Sequence, residues 1–416
     1  MKIKKTQLTA LFFSMFVFTL GFGITVPIIP YFAKNLGGTV IDVGLLMAVF
    51  SAMELVFAPL WGKLSDQIGR KPILIIGLIG FGVSFMIGGF SSKLWMLYLS
   101  QIMAGILVAG VYPAATAYIA DYTLPEERGR LMGMMGAASG LGVIIGPGLG
   151  SIMAVWGINI PFFAASLVAF VTVIMGSMWL SESKITKNQD SAAKTSFKDV
   201  LRSSFKSYVG VFFLLMMFVM LAISSIEGTF GYFVMDKFSL SQIPSFMPLL
   251  NVGLNVTGPN VIGIVFTFFG IFSVIAQALL VGKFIKLWGE EKTIVIGLLL
   301  LAFGSIFMVF STDLISLIFS ASVIAIALGL IMPSINTAVS NRTSDENQGV
   351  VMGLLGSFNS IGRVMGPAVG GFAYAVSMLL PYIGSAVIAL LSGGGMLVHI
   401  EKSKIAHKIE KTALHP

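Results

Sequence analysis

The chain contains no cysteine, only 3 histidines, and few charges, with Asp, Glu, Lys and Arg making up 11% of its 416 residues. Without cysteine it forms no disulfide and no thiolate metal site. Its histidines, His399, His407 and His415, all fall at the carboxyl end, so no histidine-based catalytic or metal-binding constellation is available in the body of the chain. A phosphate-binding Gly-Lys-Ser/Thr loop is also missing, which argues against an ATP-driven pump. No catalytic residue, metal or cofactor is expected, and the chain is not read as an enzyme.

What is abundant is apolar: 56% of residues are hydrophobic, and the mean hydropathy is +0.95. A soluble globule of this size does not have that composition; a polytopic membrane protein does. Apolar runs of about 20 residues, the length that crosses a bilayer, extend from Leu8 to Phe32, Val43 to Trp61, Pro72 to Phe90, Leu94 to Ile119, Leu131 to Val155 and Ile160 to Leu180. After a polar break they resume at Tyr208 to Met235, Val261 to Ile285, Thr293 to Ser311, Leu314 to Val339, Val350 to Ser377 and Leu379 to His399. These twelve spans do not alternate polar and apolar residues as barrel strands do, so each is expected to be a helix. Pro27, Pro30, Pro113, Pro147, Pro333 and Pro367 are expected kinks or breaks. The first run follows Lys2, Lys4 and Lys5, as in a signal peptide, but lacks a small-residue cleavage site and is read as a retained span.

The net charge of +8 follows the membrane topology. With the amino terminus in the cytoplasm, 22 of the 26 Lys and Arg fall inside, three (Lys34, Lys93, Lys237) outside and one, Arg363, within a span. That asymmetry places both termini in the cytoplasm of a multi-pass inner-membrane protein, and charges that track alternate loops argue against nucleic-acid binding.

The two halves repeat. Gly129, Gly133, Gly136, Gly142, Gly146-Pro147 and Gly150 recur at one fixed offset as Gly349, Gly353, Gly356, Gly362, Gly366-Pro367 and Gly370. The same offset carries Pro113 onto Pro333, Gly62-Lys63 onto Gly282-Lys283 and Gly69 onto Gly289. A repeat of six helices keeps its orientation, so an all-α fold of two six-helix bundles related by a pseudo-two-fold along the membrane normal is expected. Residues 1–180 form the first bundle, 181–207 a basic cytoplasmic linker, 208–399 the second bundle and 400–416 a cytoplasmic tail. The outer stretch from Asp236 to Asn260 reads as a slack connection or a mobile cap.

One polar stretch organises the rest: Gly62-Lys63-Leu64-Ser65-Asp66-Gln67-Ile68-Gly69-Arg70-Lys71, between the second and third spans. It resembles the loop 2-3 motif of the major facilitator superfamily, and the likeness extends over nearly the whole chain. The resemblance implies alternating access between two rocking bundles, with Gly62, Asp66, Gly69 and Arg70 forming a cytoplasmic latch against span 11 near Gly349. Asp121, in a run ending Arg128-Gly129-Arg130, is expected to join that cluster through Arg70 or Arg130. Gly142, Gly146, Pro147 and Gly150 in span 5 are similar to the helix 5 pattern of drug:proton antiporters and point to export. Small residues there let another helix approach closely.

Ionisable groups inside the spans are candidates for coupling, because a charge in lipid is costly and a proton removes that cost. These are Glu54, Glu227 and Arg363. Glu227 resembles the helix 7 acid of bacterial multidrug exporters, as a proton or cationic-drug site, or it meets headgroups at the span's outer end. Glu54 and Arg363 lie at similar depth on spans that are neighbours in the superfamily, so they form either a switching pair or a static one. Span 4 departs from the family: Gln101 stands where drug antiporters carry Arg. Span 1 lacks the acid of tetracycline exporters.

Phe50, Met53, Phe57, Gln101, Tyr112, Phe230, Tyr232, Asn336, Phe358 and Asn359 are the candidates for a substrate cavity, where aromatic faces adapt to many shapes and attract cations. The resulting expectation is a proton-coupled antiporter, acting as a monomer, that exports small lipophilic or cationic compounds. The alternative is an exporter of a specific metabolite or sugar with the same coupling.

Overall fold

A computed structural model describes residues 5–123, 125–182, 209–240, 245–249, 252–344 and 347–414. The basic linker expected at 181–207 lies almost wholly outside the described residues.

Ten helices are long and apolar enough to cross a membrane among the described residues, one of them a 52-residue run over Gly258–Val309. The amino-terminal half contains α1 (Lys5–Thr25), α2 (Ile29–Asn35), α3 (Val40–Ile68), α4 (Arg70–Gly89), α5 (Leu94–Val108), α6 (Val111–Tyr122), α7 (Pro125–Met153) and α8 (Ile160–Trp179). The carboxyl-terminal half contains α9 (Gly210–Phe238), α10 (Gly258–Ile275), α11 (Val281–Val309), α12 (Leu314–Asn341), α13 (Gln348–Val376) and α14 (Leu380–Leu414). The outer connection is more ordered than a slack loop: β1 (Ser245–Leu249) and β2 (Val252–Val256) pair antiparallel, and β1 rests against α12.

Local chemistry sets the boundaries. Thr39 opens α3 with a capping box, its hydroxyl accepting from the Asp42 N–H while the Asp42 carboxylate accepts the Thr39 N–H. Asp313 and Ser316 do the same for α12. Gly69 ends α3 at φ 100°, and its repeat partner Gly289 breaks α11 at φ 79°, backbone that glycine adopts without steric cost. The prolines behave differently from one another. The chain breaks just before Ile29 and Pro30 and again before Pro113, whereas Pro147, Pro333 and Pro367 sit inside continuous helices.

Within each half, glycines bring helices into backbone contact along a shared pattern. A β-carbon on Gly142 or Gly146 would lie 2.6 or 2.8 Å from the carbonyl oxygen of Phe16 or Leu20 on α1. One on Gly366 or Gly370 would lie 2.7 Å from the carbonyl oxygen of Leu221 or Ser225 on α9. So α7 packs on α1 as α13 packs on α9, through glycines that are partners in the sequence repeat.

Two helix pairs make most of the contact between the halves, α3 with α13 and α7 with α10, and α9 adds smaller contacts to α2 and α3. Gly44 meets the Pro367 carbonyl, and a β-carbon on Gly371 would lie 3.1 Å from the Val40 carbonyl oxygen. On the other seam, β-carbons on Gly263 and Gly270 would reach the Pro147 carbonyl oxygen at 2.7 Å and the Ile144 Cα at 3.1 Å. These contacts cluster at the end bearing Gly38. Toward the Gly69 end the seams part, and Gly62, Gly129, Gly133, Gly136, Gly282, Gly349, Gly353 and Gly356 have open space where a β-carbon would stand.

Candidate functional site

The halves therefore enclose a cleft that is sealed at the Gly38 end and open at the Gly69 end. At the sealed end Tyr232 on α9 donates to the Gly38 carbonyl across the seam at 2.9 Å, Gly231 packs on Pro30, and the Tyr31 side chain fills the space over Gly258. Tyr232, a cavity candidate, is thus part of the closure in this conformation. Asp236 accepts from Tyr374 at 2.8 Å beside it.

Of the coupling candidates, Glu227 has the most confined setting. It sits half-buried on α9 beside Gly228, whose own close neighbour is Pro367. Glu227 also borders a space of about 30 Å³, walled by Ile223, Phe230, Phe266, Phe269, Met308 and Ile324. That is room for one or two waters. Phe230 stands edge-on to Phe266 with ring centroids 5.6 Å apart. Arg363, one turn from Pro367 on α13, is exposed. Among the described residues neither Glu227 nor Arg363 has an ion-pair partner within 4.0 Å.

Glu54 is half-buried and does not pair with Arg363. The reason is geometric. Counting from the contact of Gly44 with Pro367 and Gly371, and at 1.5 Å per residue, Arg363 lies about 6 Å nearer the sealed end than Glu54, where α3 and α13 are already diverging.

The remaining cavity candidates divide. Tyr112 is 52% exposed on α6, which α1, α3, α4 and α7 surround on its other sides, so it faces the cleft. Asn336 is exposed on α12, while Gln101, Met53 and Phe57 are half-buried. Phe50 is core instead: it is 6% exposed, lies 5.4 Å from the Phe22 ring, and its backbone is pressed by Gly105. Phe358 and Asn359 turn into the carboxyl-terminal half, where Phe358 stacks on Phe213 at 5.5 Å and Asn359 contacts the Met216 sulfur at 3.5 Å.

At the open end Arg70 bridges Asp66 at 2.5 Å and Asp121 at 2.9 Å, so Asp121 joins the cluster through Arg70 and not through the exposed Arg130. The Asp66 side chain is 68% exposed, and no residue of α13 is among its partners. Gly142, Gly146, Pro147 and Gly150 are held against α1, and the same helix face continues onto α10 through the Pro147 carbonyl. Sequence reasoning missed a second polar cluster. Asn341 donates to Glu290 at 2.8 Å, and Arg342 bridges Glu291 at 2.8 Å, with His399 3.6 Å from the same carboxylate. The signal was available, since the offset that carries Gly69 onto Gly289 also carries Arg70 onto Glu290 and Asp121 onto Asn341.

Comparison with known proteins agrees with this architecture. The family description Major Facilitator Superfamily matches residues 11–258 and again residues 228–414. Multidrug resistance protein 2 of Bacillus subtilis (strain 168) is 30% identical over 410 residues, covering 97% of both chains. Quinolone resistance protein NorA of Staphylococcus aureus (strain COL) is 29% identical over 397 residues, 95% of this chain and 96% of its own. Among solved structures, the human organic anion transporter MFSD10 (TETRAN) matches with a TM-score of 0.65 at 21% identity over 94% of this chain and 99% of its own. The nucleoside transporter NupG matches with 0.77 at 12% identity, over 95% and 99%. At such identities the structural likeness speaks to fold alone. A multi-pass helical chain with a cleft between its halves, matched along its whole length by this family, is a transporter and not an enzyme, and it belongs to the Major Facilitator Superfamily.

Proposed function

We propose that the protein is a proton-coupled antiporter that exports small lipophilic compounds, cationic ones included, from the cell. Twelve spans follow from dividing Gly258–Val309 at Gly289 and adding α13 to the other apolar helices. They form two bundles, 1–180 and 208–399, joined by the linker 181–207, with the tail 400–416 and both termini in the cytoplasm. The matching helix contacts at repeat-related glycines support a pseudo-two-fold along the membrane normal. On this orientation the Gly69 end is cytoplasmic and the conformation is inward-open, ready to take substrate from the cell.

The observation that carries the reading is Glu227. A carboxylate with apolar walls is costly when ionised and is relieved by a proton or a cationic substrate, which is the competition an antiporter needs. Glu54 and Arg363 sit farther along the same cleft as a further coupling pair in the opposite conformation. Asp66, free of α13 here, latches to the start of that helix when the cytoplasmic end closes. The curated relatives, named for multidrug and quinolone resistance, support drugs as cargo.

The test uses everted vesicles with an imposed pH gradient and an ethidium-like dye. Uptake is expected in the native protein and should collapse with a protonophore. Glu227→Gln should lose gradient-driven uptake while still equilibrating dye. Glu54→Gln with unchanged coupling would remove Glu54 from the proton path, and no response to any dye or drug would favour a specific metabolite as cargo.

A further inference from the structure

We infer that the Gly38 end of the molecule holds an exit site for small organic cations, formed by the Tyr232 ring, Tyr374 and Asp236, and that Lys34 occupies it whenever this end is shut. The inference deepens the export reading above and rests on it.

The walls of the site belong wholly to the carboxyl-terminal half. Asp236 stands one turn beyond Tyr232 on α9, and Tyr374 on α13 donates to the Asp236 carboxylate at 2.8 Å. The Tyr232 and Tyr374 rings meet edge-on, with centroids 6.5 Å apart and an interplanar angle of 66°. An aromatic face attracts a cation through its quadrupole, and a carboxylate beside it adds a full opposite charge. Because α9 and α13 are in backbone contact through Gly362, Gly366 and Gly370, the three side chains move as one body.

The occupant comes from the other half. Lys34 on α2 sets its ammonium over the Tyr232 ring, 6.0 Å from the centroid, while the Tyr232 hydroxyl donates to the Gly38 carbonyl. The protein's own cation thus stands where a substrate cation would. Among the described residues Asp236 has no ion-pair partner within 4.0 Å, and it is exposed, so its charge is spent on neither Lys34 nor Lys237. Tyr232 and Tyr374 are each only 7% exposed, so the rings are covered as long as this end is shut.

Parting the halves removes the cover and the occupant together, since Pro30, Lys34 and Gly38 all leave with the amino-terminal half. The Tyr232 face is then free for a cation arriving from Glu227, which lies about 8 Å deeper along α9. On closing, Lys34 returns to the same face with the advantage of a tethered group over a free one. Closure of this end and release of the exported cation are therefore a single competition.

The test uses right-side-out vesicles that contain a neutral lipophilic dye and are placed in acidic medium, with benzyltrimethylammonium, a small permanent cation, added outside. Inhibition of dye efflux is read for each variant relative to its own rate without the cation. The half-inhibiting concentration should fall about two- to fivefold in Lys34→Gln, the scale of one partly exposed cation–π contact. Lys34→Arg should match the parent, as should Lys93→Gln, which removes another exposed charge at this end. In the Lys34→Gln background, Tyr232→Phe should keep the gain and Tyr232→Leu should abolish it; both lose the hydrogen bond to Gly38, so their difference reads the ring alone. If the cation inhibits none of these proteins, if Lys93→Gln sensitises as much as Lys34→Gln, or if Tyr232→Leu and Tyr232→Phe behave alike, the exit site is refuted while export stands. If the parent drives no efflux of any dye, the export reading is refuted, and the inference with it.

Discussion

Replacing Gly44 by alanine probes the mechanism where backbone meets backbone across the two halves. In the observed conformation the Gly44 α-carbon packs directly beneath the Pro367 carbonyl, and an added β-carbon would also lie 3.0 Å from the Pro367 carbonyl carbon and 3.5 Å from the Gly371 α-carbon. All three obstacles are backbone atoms of α13, so no rotamer change relieves the overlap. The helices have to separate. Overpacking of this kind costs about 1–3 kcal/mol, and here it falls only on the conformation in which the seam is shut. At about 1.4 kcal/mol per tenfold, the ratio of molecules with this seam shut to molecules with it parted should drop by roughly 5- to 150-fold.

The assay is a spin-label distance between cysteines placed at Asn35 and Ser377, on opposite sides of the sealed end. A longer distance should appear or grow in Gly44→Ala, while Gly384→Ala, where a β-carbon meets nothing within 4 Å, should match the parent. An unchanged distance distribution in Gly44→Ala would refute the argument that this seam is the closed gate.

Gly366→Ala should act differently, because its β-carbon would lie 2.7 Å from the Leu221 carbonyl oxygen inside one half of the molecule. Both conformations should lose stability together, by about 1–3 kcal/mol, seen as a lower unfolding temperature in detergent with the spin-label distance unchanged. Asp313→Ala removes a helix cap and should cost about 1 kcal/mol at neutral pH. Hydrogen bonds from Ser316 hold the Asp313 carboxyl below its ordinary value, so this contribution is present above the unfolded-state pKa, near 4, and fades as the pH falls through the lower folded value. The difference in unfolding temperature between Asp313→Ala and the parent should therefore shrink in acid.

How much could be read from the residues depends on how local each feature is. The apolar helices, the turns at Gly69 and Gly289 and the matching glycine contacts of α7 and α13 were legible because lipid solubility, φ > 0 and a fixed offset each leave marks in the residues. Arg70 with Asp121 was legible as one of two options. Its counterpart, Glu290 with Asn341, was overlooked because the residue types changed while the geometry did not. The cavity candidates were less readable: Tyr112 on α6 faces the cleft and Phe50 on α3 is core, and both look equally aromatic in the sequence.

By itself the sequence determined that this chain is a multi-pass helical membrane protein of the superfamily its 2-3 loop resembles. It did so because bilayer thickness and the cost of burying charge act on composition, segment by segment. Only the tertiary structure decided which end is shut, that Glu54 and Arg363 stand apart, and that Tyr232 closes a seam. Those outcomes depend on how two rigid halves lean against each other, and contacts such as Gly44 with Pro367 join residues from opposite halves of the chain.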